Sequence, residues 1–164
     1  DFLYAIESSV FIKNLDKTKM MFLELKIALN VFDDYAYHPT EIKATLDVAS
    51  LRYGKEHIVA VFQPHRYTRL KSLWHDFKSS FDNVKRVVVT DVYSASEDEI
   101  SGISGERFAS ELCGAEYISG SIEEVAKKLL PTLNSGECVI GLGAGTITAL
   151  GKYLEKAYGE LACK

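Results

Sequence analysis

With 164 residues, 47% of them hydrophobic, the chain is long enough to bury the core of one domain and short for two. Its formal net charge of -4 comes without a long basic run, which excludes the electrostatic footprint of a nucleic-acid binder. Its apolar runs reach only about five residues, against the roughly 20 a membrane helix needs, so a soluble protein is expected.

Cys113, Cys138 and Cys163 lie far apart without a Cys-x-x-Cys spacing. Neither a disulfide framework nor a zinc site is expected, and a reducing cytoplasm is the simplest setting. No charged-then-apolar leader opens the chain, which starts at Asp1 without Met and so suggests a fragment.

The stretch over 1–18, with Phe2, Ile6, Val10 and Phe11 in helical spacing and no matching strand, reads as the tail of a preceding domain or a linker. Residues 22–26 are expected to form an antiparallel edge strand, paired as a hairpin with a strand predicted over 28–32. Asp33-Asp34-Tyr35-Ala36-Tyr37-His38-Pro39-Thr40-Glu41-Ile42 then leads into a helix over 40–53, with apolar positions at Ile42, Leu46 and Ala49 and a stop at Gly54. The next strand, over 58–62, is apolar throughout, as suits a strand covered on both faces.

Gln63-Pro64-His65-Arg66-Tyr67-Thr68-Arg69 follows and opens a helix predicted over 69–81. A strand over 87–91, an acidic, glycine-punctuated loop over 94–105, a helix over 105–113 and a short strand over 116–118 come next. A helix over 121–130 closed by Pro131, a strand over 138–142 and a helix over 147–158 complete the pattern. Strand and helix alternate, so the expected fold is α/β: a Rossmann-like, doubly wound, mostly parallel sheet of about six strands with one antiparallel edge strand and helices on both faces.

In such folds ligands bind at the carboxyl ends of the strands. Arg66 and Arg69, three apart at a strand-to-helix transition, can converge on a small carboxylate or stand solvated. Asp33 and Asp34 can hold a ribose hydroxyl, a cation or an ammonium group, or cap the helix that follows. His38 and His65 flank proline-containing turns and can donate or accept hydrogen bonds, while His57 and His75 are assigned no role. Gly141-Leu142-Gly143-Ala144-Gly145-Thr146 resembles a phosphate-binding turn but lacks the G-x-G-x-x-G spacing, so close packing is the better reading. The chain also lacks G-x-x-x-x-G-K-[ST] and cannot cradle a nucleoside triphosphate in the P-loop manner.

The stretches 33–42 and 63–69, with Asp91-Val92-Tyr93-Ser94-Ala95-Ser96-Glu97 and Gly143-Ala144-Gly145 after them, resemble the carboxy-terminal domain of the Mur ligases. The Gln-Pro-His-Arg-Tyr-x-Arg stretch resembles the branch of that family that adds L-alanine to UDP-N-acetylmuramate in peptidoglycan synthesis. The resemblance runs over 19–164 and implies a cytoplasmic, three-domain ligase of which this is the third domain, inactive alone. It implies ATP and Mg2+ as cofactors, bound mainly by a central domain absent here. It also implies L-alanine, UDP-N-acetylmuramate and ATP as partners, with no nucleic acid and no membrane.

By position, the resemblance assigns Arg66, Arg69 and His65 to the alanine carboxylate pocket with His38 and Tyr37 beside them. Asp34 and Tyr35 would face the nucleotide on domain closure. It assigns no catalytic residue and no metal ligand to this stretch. Tyr37 stands where the family usually has His, Met20 and Met21 where it has two arginines, and Thr146 where it has Asp or Asn. Two further readings are a Mur-ligase-like binding module without turnover and a nucleotide-binding Rossmann domain working with a nicotinamide cofactor.

Overall fold

The structure, a computed structural model, describes residues 29–162. The predicted edge strand over 22–26, the stretch over 1–18, Met20, Met21 and Cys163 lie outside the described residues.

Five strands form one sheet: β1 (Asn30–Asp34), β2 (Ile58–Phe62), β3 (Arg86–Val89), β4 (Glu116–Tyr117) and β5 (Cys138–Leu142). Their order is β1-β5-β2-β3-β4, and every pairing is parallel. All residues of β2 and β5 are buried, as their uninterrupted apolar sequence anticipates. The described sheet thus has five parallel strands where about six, one of them antiparallel, are expected from sequence.

The first strand lies two residues later than its predicted 28–32. Asp33 pairs with Gly141 and Asp34 with Leu142, so both aspartates sit inside β1 and not past its end. Hydrogen bonding to β5 here outweighs the poor strand preference of aspartate.

Six helices connect or follow the strands among the described residues: α1 (Pro39–Tyr53), α2 (Tyr67–Ser72), α3 (Trp74–Ser79), α4 (Gly105–Glu111), α5 (Ile122–Leu129) and α6 (Leu150–Ala162). The single helix predicted over 69–81 is two, interrupted at Leu73 with φ -112 and ψ 22. No Gly or Pro marks this break. Trp74 packs edge-on against Phe108 at 5.2 Å and Phe77 against Phe62 at 5.2 Å, so contacts distant in sequence direct it. Likewise, the helix predicted over 147–158 starts with a 3-10 turn, Thr146–Ala149, before α6.

Successive strand residues point to opposite faces, which sorts the core into two layers. On one face Ala60, Phe62, Ile140 and Leu142 meet Ile42 and Leu46 of α1, Leu70 of α2, Phe77 of α3 and Phe108 of α4. On the other, Val59, Val61, Val88 and Val139 meet Ile122, Val125 and Leu129 of α5 and Leu150 and Leu154 of α6. Helices on both faces make the sheet doubly wound.

Asp34, Leu142, Phe62 and Val89 stand in one register row across β1, β5, β2 and β3. The chain leaves β1 and β2 toward the first face and leaves β5, between them, toward the second. Loops that part in this way open a crevice above the row. No helix among the described residues is long and apolar enough to cross a membrane.

Candidate functional site

Beyond β2, Gln63 and Pro64 carry the chain to His65, which forms a parallel bridge with Tyr93 beyond β3. The Tyr93 N–H donates to the Pro64 carbonyl at 2.8 Å, and the Arg66 N–H donates to the Tyr93 carbonyl at 2.8 Å. These bonds hold Arg66 at φ 72, a backbone conformation that costs a non-glycine residue about 1–3 kcal/mol. One segment is thereby clamped against another at the carboxyl edge.

Arg69, in α2, folds back onto this segment. Its Nη1 lies 2.8 Å from His65 Nδ1 and donates to the His65 carbonyl at 3.2 Å. The guanidinium also sits 4.5 Å over the Tyr37 ring, a cation–π contact. The His65 ring in turn stacks on Tyr93, with centroids 5.5 Å apart and planes inclined by 22°.

Tyr37 lies 6.0 Å from His65, and Tyr35 meets Tyr37 edge-on at 6.0 Å. A continuous cluster thus runs from exposed Tyr35 through Tyr37, Arg69 and His65 to Tyr93. Arg66 faces a different partner, with Nη1 3.8 Å from Oε1 of Glu97. Glu97 accepts the Thr68 hydroxyl at 2.6 Å and the Thr68 N–H at 3.1 Å, bonds that hold its carboxyl below the usual range.

Asp34 serves the local backbone. Its Oδ1 accepts the Ala36 N–H at 3.1 Å and its Oδ2 the Thr45 hydroxyl at 2.6 Å, fastening the loop after β1 to α1. His38 is the N-cap of α1: Nδ1 accepts the Thr40 N–H at 3.3 Å, while Oε2 of Glu41 accepts the N–H groups of Tyr37 and His38, each at 3.2 Å. Its ring bonds to neither His65 nor Arg69. Of the residues read from sequence, the structure brings together Tyr35, Tyr37, His65 and Arg69, ties Arg66 to Glu97, and uses Asp34 and His38 as fasteners.

Asp33 points the other way, as strand alternation requires. A Cβ on Gly141 would lie 2.8 Å from its Oδ1, and one on Gly151 3.2 Å from its Oδ2. Desolvation against this surface pushes its pKa up to about 6, opposed by a hydrogen bond to the Gly151 backbone. The residue is exposed at the sheet edge, so water screens part of that effect. Asp33 does not join the site.

The glycine turn after β5 is a packing device. Gly143 has φ 144, and a Cβ there would come within 2.7 Å of the Gln63 carbonyl. On Gly145 a Cβ would lie 2.5 Å from Tyr93 Cγ and 2.6 Å from Gln63 Oε1. Gln63 and Tyr93 pack directly against this turn.

Buried Gln63 donates from Nε2 to the Thr146 hydroxyl at 2.9 Å and accepts the Ile147 N–H at 3.0 Å. Gln63→Leu leaves that buried N–H without a partner and is expected to cost about 1–3 kcal/mol. The denaturant midpoint of the variant chain, at unchanged m-value, reads this loss.

Tyr93 and Glu97 are the site residues that residue-type reasoning does not single out. Their signal is position: both lie in the loop that leaves β3 one strand away from His65. Below them, Asp91 accepts the Tyr117 hydroxyl and, at 2.8 Å, the Gly120 N–H, joining the ends of β3 and β4. Burial and then the Asp91 hydrogen bond raise the Tyr117 phenol pKa.

Among the described residues no group of three or more His, Cys, Asp or Glu is arranged to hold a metal ion. A shallow cleft lined by Lys71, Trp74, His75 and Arg107 shares no residue with the cluster.

A family model described as Mur ligase, glutamate ligase domain, matches residues 21–145. The UDP-N-acetylmuramate--L-alanine ligase of Sulfurihydrogenibium sp. (strain YO3AOP1) is 40% identical over 154 residues, which are 91% of this chain and 34% of that protein. The enzyme of the same name from Brachyspira hyodysenteriae is 41% identical over 126 residues, 74% of this chain and 27% of that one. The chain therefore spans about a third or less of the length of these relatives.

Among solved structures, the UDP-N-acetylmuramate-alanine ligase of Thermotoga maritima superposes with a TM-score of 0.62 at 25% identity, covering 85% of this chain and 29% of that one. A murein peptide ligase from Psychrobacter arcticus shares the fold, with a TM-score of 0.62 at 18% identity over 87% of this chain and 30% of its own.

Proposed function

The chain belongs to the Mur ligase family, and on that premise we propose that it is the amino-acid-binding, carboxy-terminal portion of an ATP-dependent ligase that joins L-alanine to UDP-N-acetylmuramate in peptidoglycan synthesis. The observation that carries this reading is the Arg69–His65 pair at the carboxyl edge of the sheet. Arg69 commits Nη1 to His65, while its Nε and Nη2 have no hydrogen-bond partner among the described residues. A planar fork held at one corner and open along one edge suits a carboxylate. Arg66 adds a second cation beside it, oriented by Glu97.

In this reading Tyr37 and His65 wall the amino-acid pocket, and Tyr35, 63% exposed, faces the nucleotide when the domains close. Asp34 contributes by holding the loop that carries Tyr35. His38 contributes by capping α1 beneath Tyr37. In this reading the domain occupies 19–164, and 1–18 is the tail of the preceding domain or a linker.

In the reaction, the muramoyl carboxylate would take the γ-phosphoryl group of ATP, with ADP leaving and Mg2+ offsetting the phosphate charge, to give an acyl phosphate. The chain has no G-x-x-x-x-G-K-[ST] sequence, so in this reading ATP and Mg2+ would both be bound by another part of the protein. The alanine nitrogen then forms a C–N bond at the acyl carbon, the C–O bond to phosphate breaks, phosphate leaves and the amine loses a proton. This chain's part is positioning: a fixed amino acid converts a bimolecular step into an intramolecular one. Such chemistry places the protein in the cytoplasm, with ATP and the nucleotide sugar.

The test is phosphate release by the full-length protein given ATP, magnesium and UDP-N-acetylmuramate, with and without L-alanine. Release that depends on alanine is expected; release indifferent to alanine overturns the reading.

A further inference from the structure

We infer that His65 is held as the neutral imidazole with its proton on Nε2, so that it offers the bound amino acid a hydrogen-bond donor and does not act as the base for its ammonium group. The ligand in this statement rests on the function proposed above; the tautomer rests on the structure alone.

Arginine is a donor only, so its Nη1, 2.8 Å from His65 Nδ1, requires a lone pair on that nitrogen. A neutral imidazole with a lone pair on Nδ1 carries its hydrogen on Nε2. Nε2 has no hydrogen-bond partner among the described residues. A half-turn of the ring keeps its stacking on Tyr93 but would set Cδ2, which has no lone pair, against Nη1, so the bond to Arg69 selects the orientation with Nδ1 facing it.

The charged and titratable groups around it come from three elements: Arg69 of α2 with Arg66 before it, Tyr37 of the loop after β1, and Tyr93 and Glu97 of the loop after β3. Desolvation, then Arg69 and Arg66, lower the pKa of His65, and Glu97 opposes them. Both effects favour the neutral form.

A base must have an available lone pair, and the one on His65 is engaged by Arg69. Protonating Nδ1 would set a new N–H against Nη1 and place two cations in contact. Arg69 would lose that bond while keeping the one to the His65 carbonyl and its place over Tyr37. Acidification through the His65 transition thus takes the Nδ1 acceptor away from Arg69.

The sign for stability is the same. A histidine that titrates lower in the folded than in the unfolded chain contributes stability that is complete above the unfolded pKa of about 6.5 and is lost as the pH falls from there toward the folded value.

The experiment uses the full-length protein with 15N-labelled histidine rings, the His65 signals being those lost in His65→Gln. At about pH 7.5 the expected spectrum has Nδ1 unprotonated and Nε2 protonated, with a titration midpoint below that of free histidine. Arg69→Gln should move that midpoint upward and mix the tautomers. An Nδ1–H tautomer, or a midpoint at or above that of free histidine, overturns the inference whether or not the protein is an alanine ligase.

The donor role is read by steady-state kinetics. His65→Phe, which keeps an aromatic ring but loses both the Nε2 donor and the Nδ1 acceptor for Arg69, should raise KM for alanine about tenfold or more, and His65→Gln, whose amide N–H can stand near the lost Nε2–H, should restore most of the loss. Equal effects of the two substitutions overturn the donor role. If alanine-dependent turnover is absent in the unsubstituted protein, the proposed function fails while the spectrum still decides the tautomer.

Discussion

Replacing Arg69 with alanine in the full-length protein is expected to raise KM for L-alanine about 100-fold while KM for ATP stays within about twofold of its starting value. The magnitude follows from the bonds at stake. A hydrogen bond to a charged group is worth about 1.5–3 kcal/mol, and the open edge of the guanidinium offers two parallel ones. The substitution also removes the cation over Tyr37 and frees Nδ1 of His65, so the pocket loses shape as well as charge.

Lysine at this position keeps a charge but lacks the planar fork. Arg69→Lys is therefore expected to recover only a small part of the loss. Initial-rate measurements with alanine varied at saturating ATP, and the reverse, check both. Equal rises in the two KM values would mean that Arg69 shapes the whole domain and not an amino-acid site.

The second large effect concerns stability. Gly105 opens α4 directly against the end of β3, and a Cβ there would lie 2.0 Å from the Thr90 carbonyl oxygen and 3.1 Å from its carbon. Both atoms belong to the backbone of Thr90, one residue past β3, whose N–H is bonded to the Phe62 carbonyl at 3.0 Å, so no side chain can rotate aside. Relief requires α4 to move outward, carrying Phe108 away from Phe62 and Trp74, which it meets at 6.0 and 5.2 Å.

Gly105→Ala is therefore expected to destabilise the chain by about 3 kcal/mol or more, since overpacking and lost aromatic contact add. Gly159 is the contrast. It is exposed in α6, a Cβ there would meet no atom within 4 Å, and Gly159→Ala should stabilise by about 0.5–1 kcal/mol through helix preference alone. Denaturant midpoints of the two variants, moving in opposite directions, read this difference.

The same two predictions mark where sequence is legible and where it is not. Arg69 stands out from its type and its place after a buried strand. The contact surface of Gly105 does not, because the Thr90 carbonyl it meets is fifteen positions away and nothing in the local pattern points to it. The start of α1 reads directly from Pro39 and Glu41, which act within one turn. The break at Leu73 is invisible for the opposite reason: its cause is aromatic packing against Phe62 and Phe108.

Asp33 and Asp34 show the limit at single-residue scale. Side by side in sequence they carry the same options. Pairing with β5 extends the strand through both, and alternation sends Asp34 to the loop of α1 and Asp33 to the opposite face against Gly141 and Gly151. A one-residue difference in register exchanges their roles.

By itself, then, the sequence of this protein determines the alternation of strands and helices, the two-sided burial of β2 and β5 and the presence of an arginine-histidine segment at the carboxyl edge. These follow from hydrophobic periodicity and turn chemistry, which act over a few residues. Only the tertiary structure decides that Tyr93 and Glu97 complete that segment, that His38 caps a helix, and that His65 gives its lone pair to Arg69. The reason is the parallel sheet, whose neighbouring strands are joined through long crossovers: the groups that meet at its edge are brought together by strand register and packing.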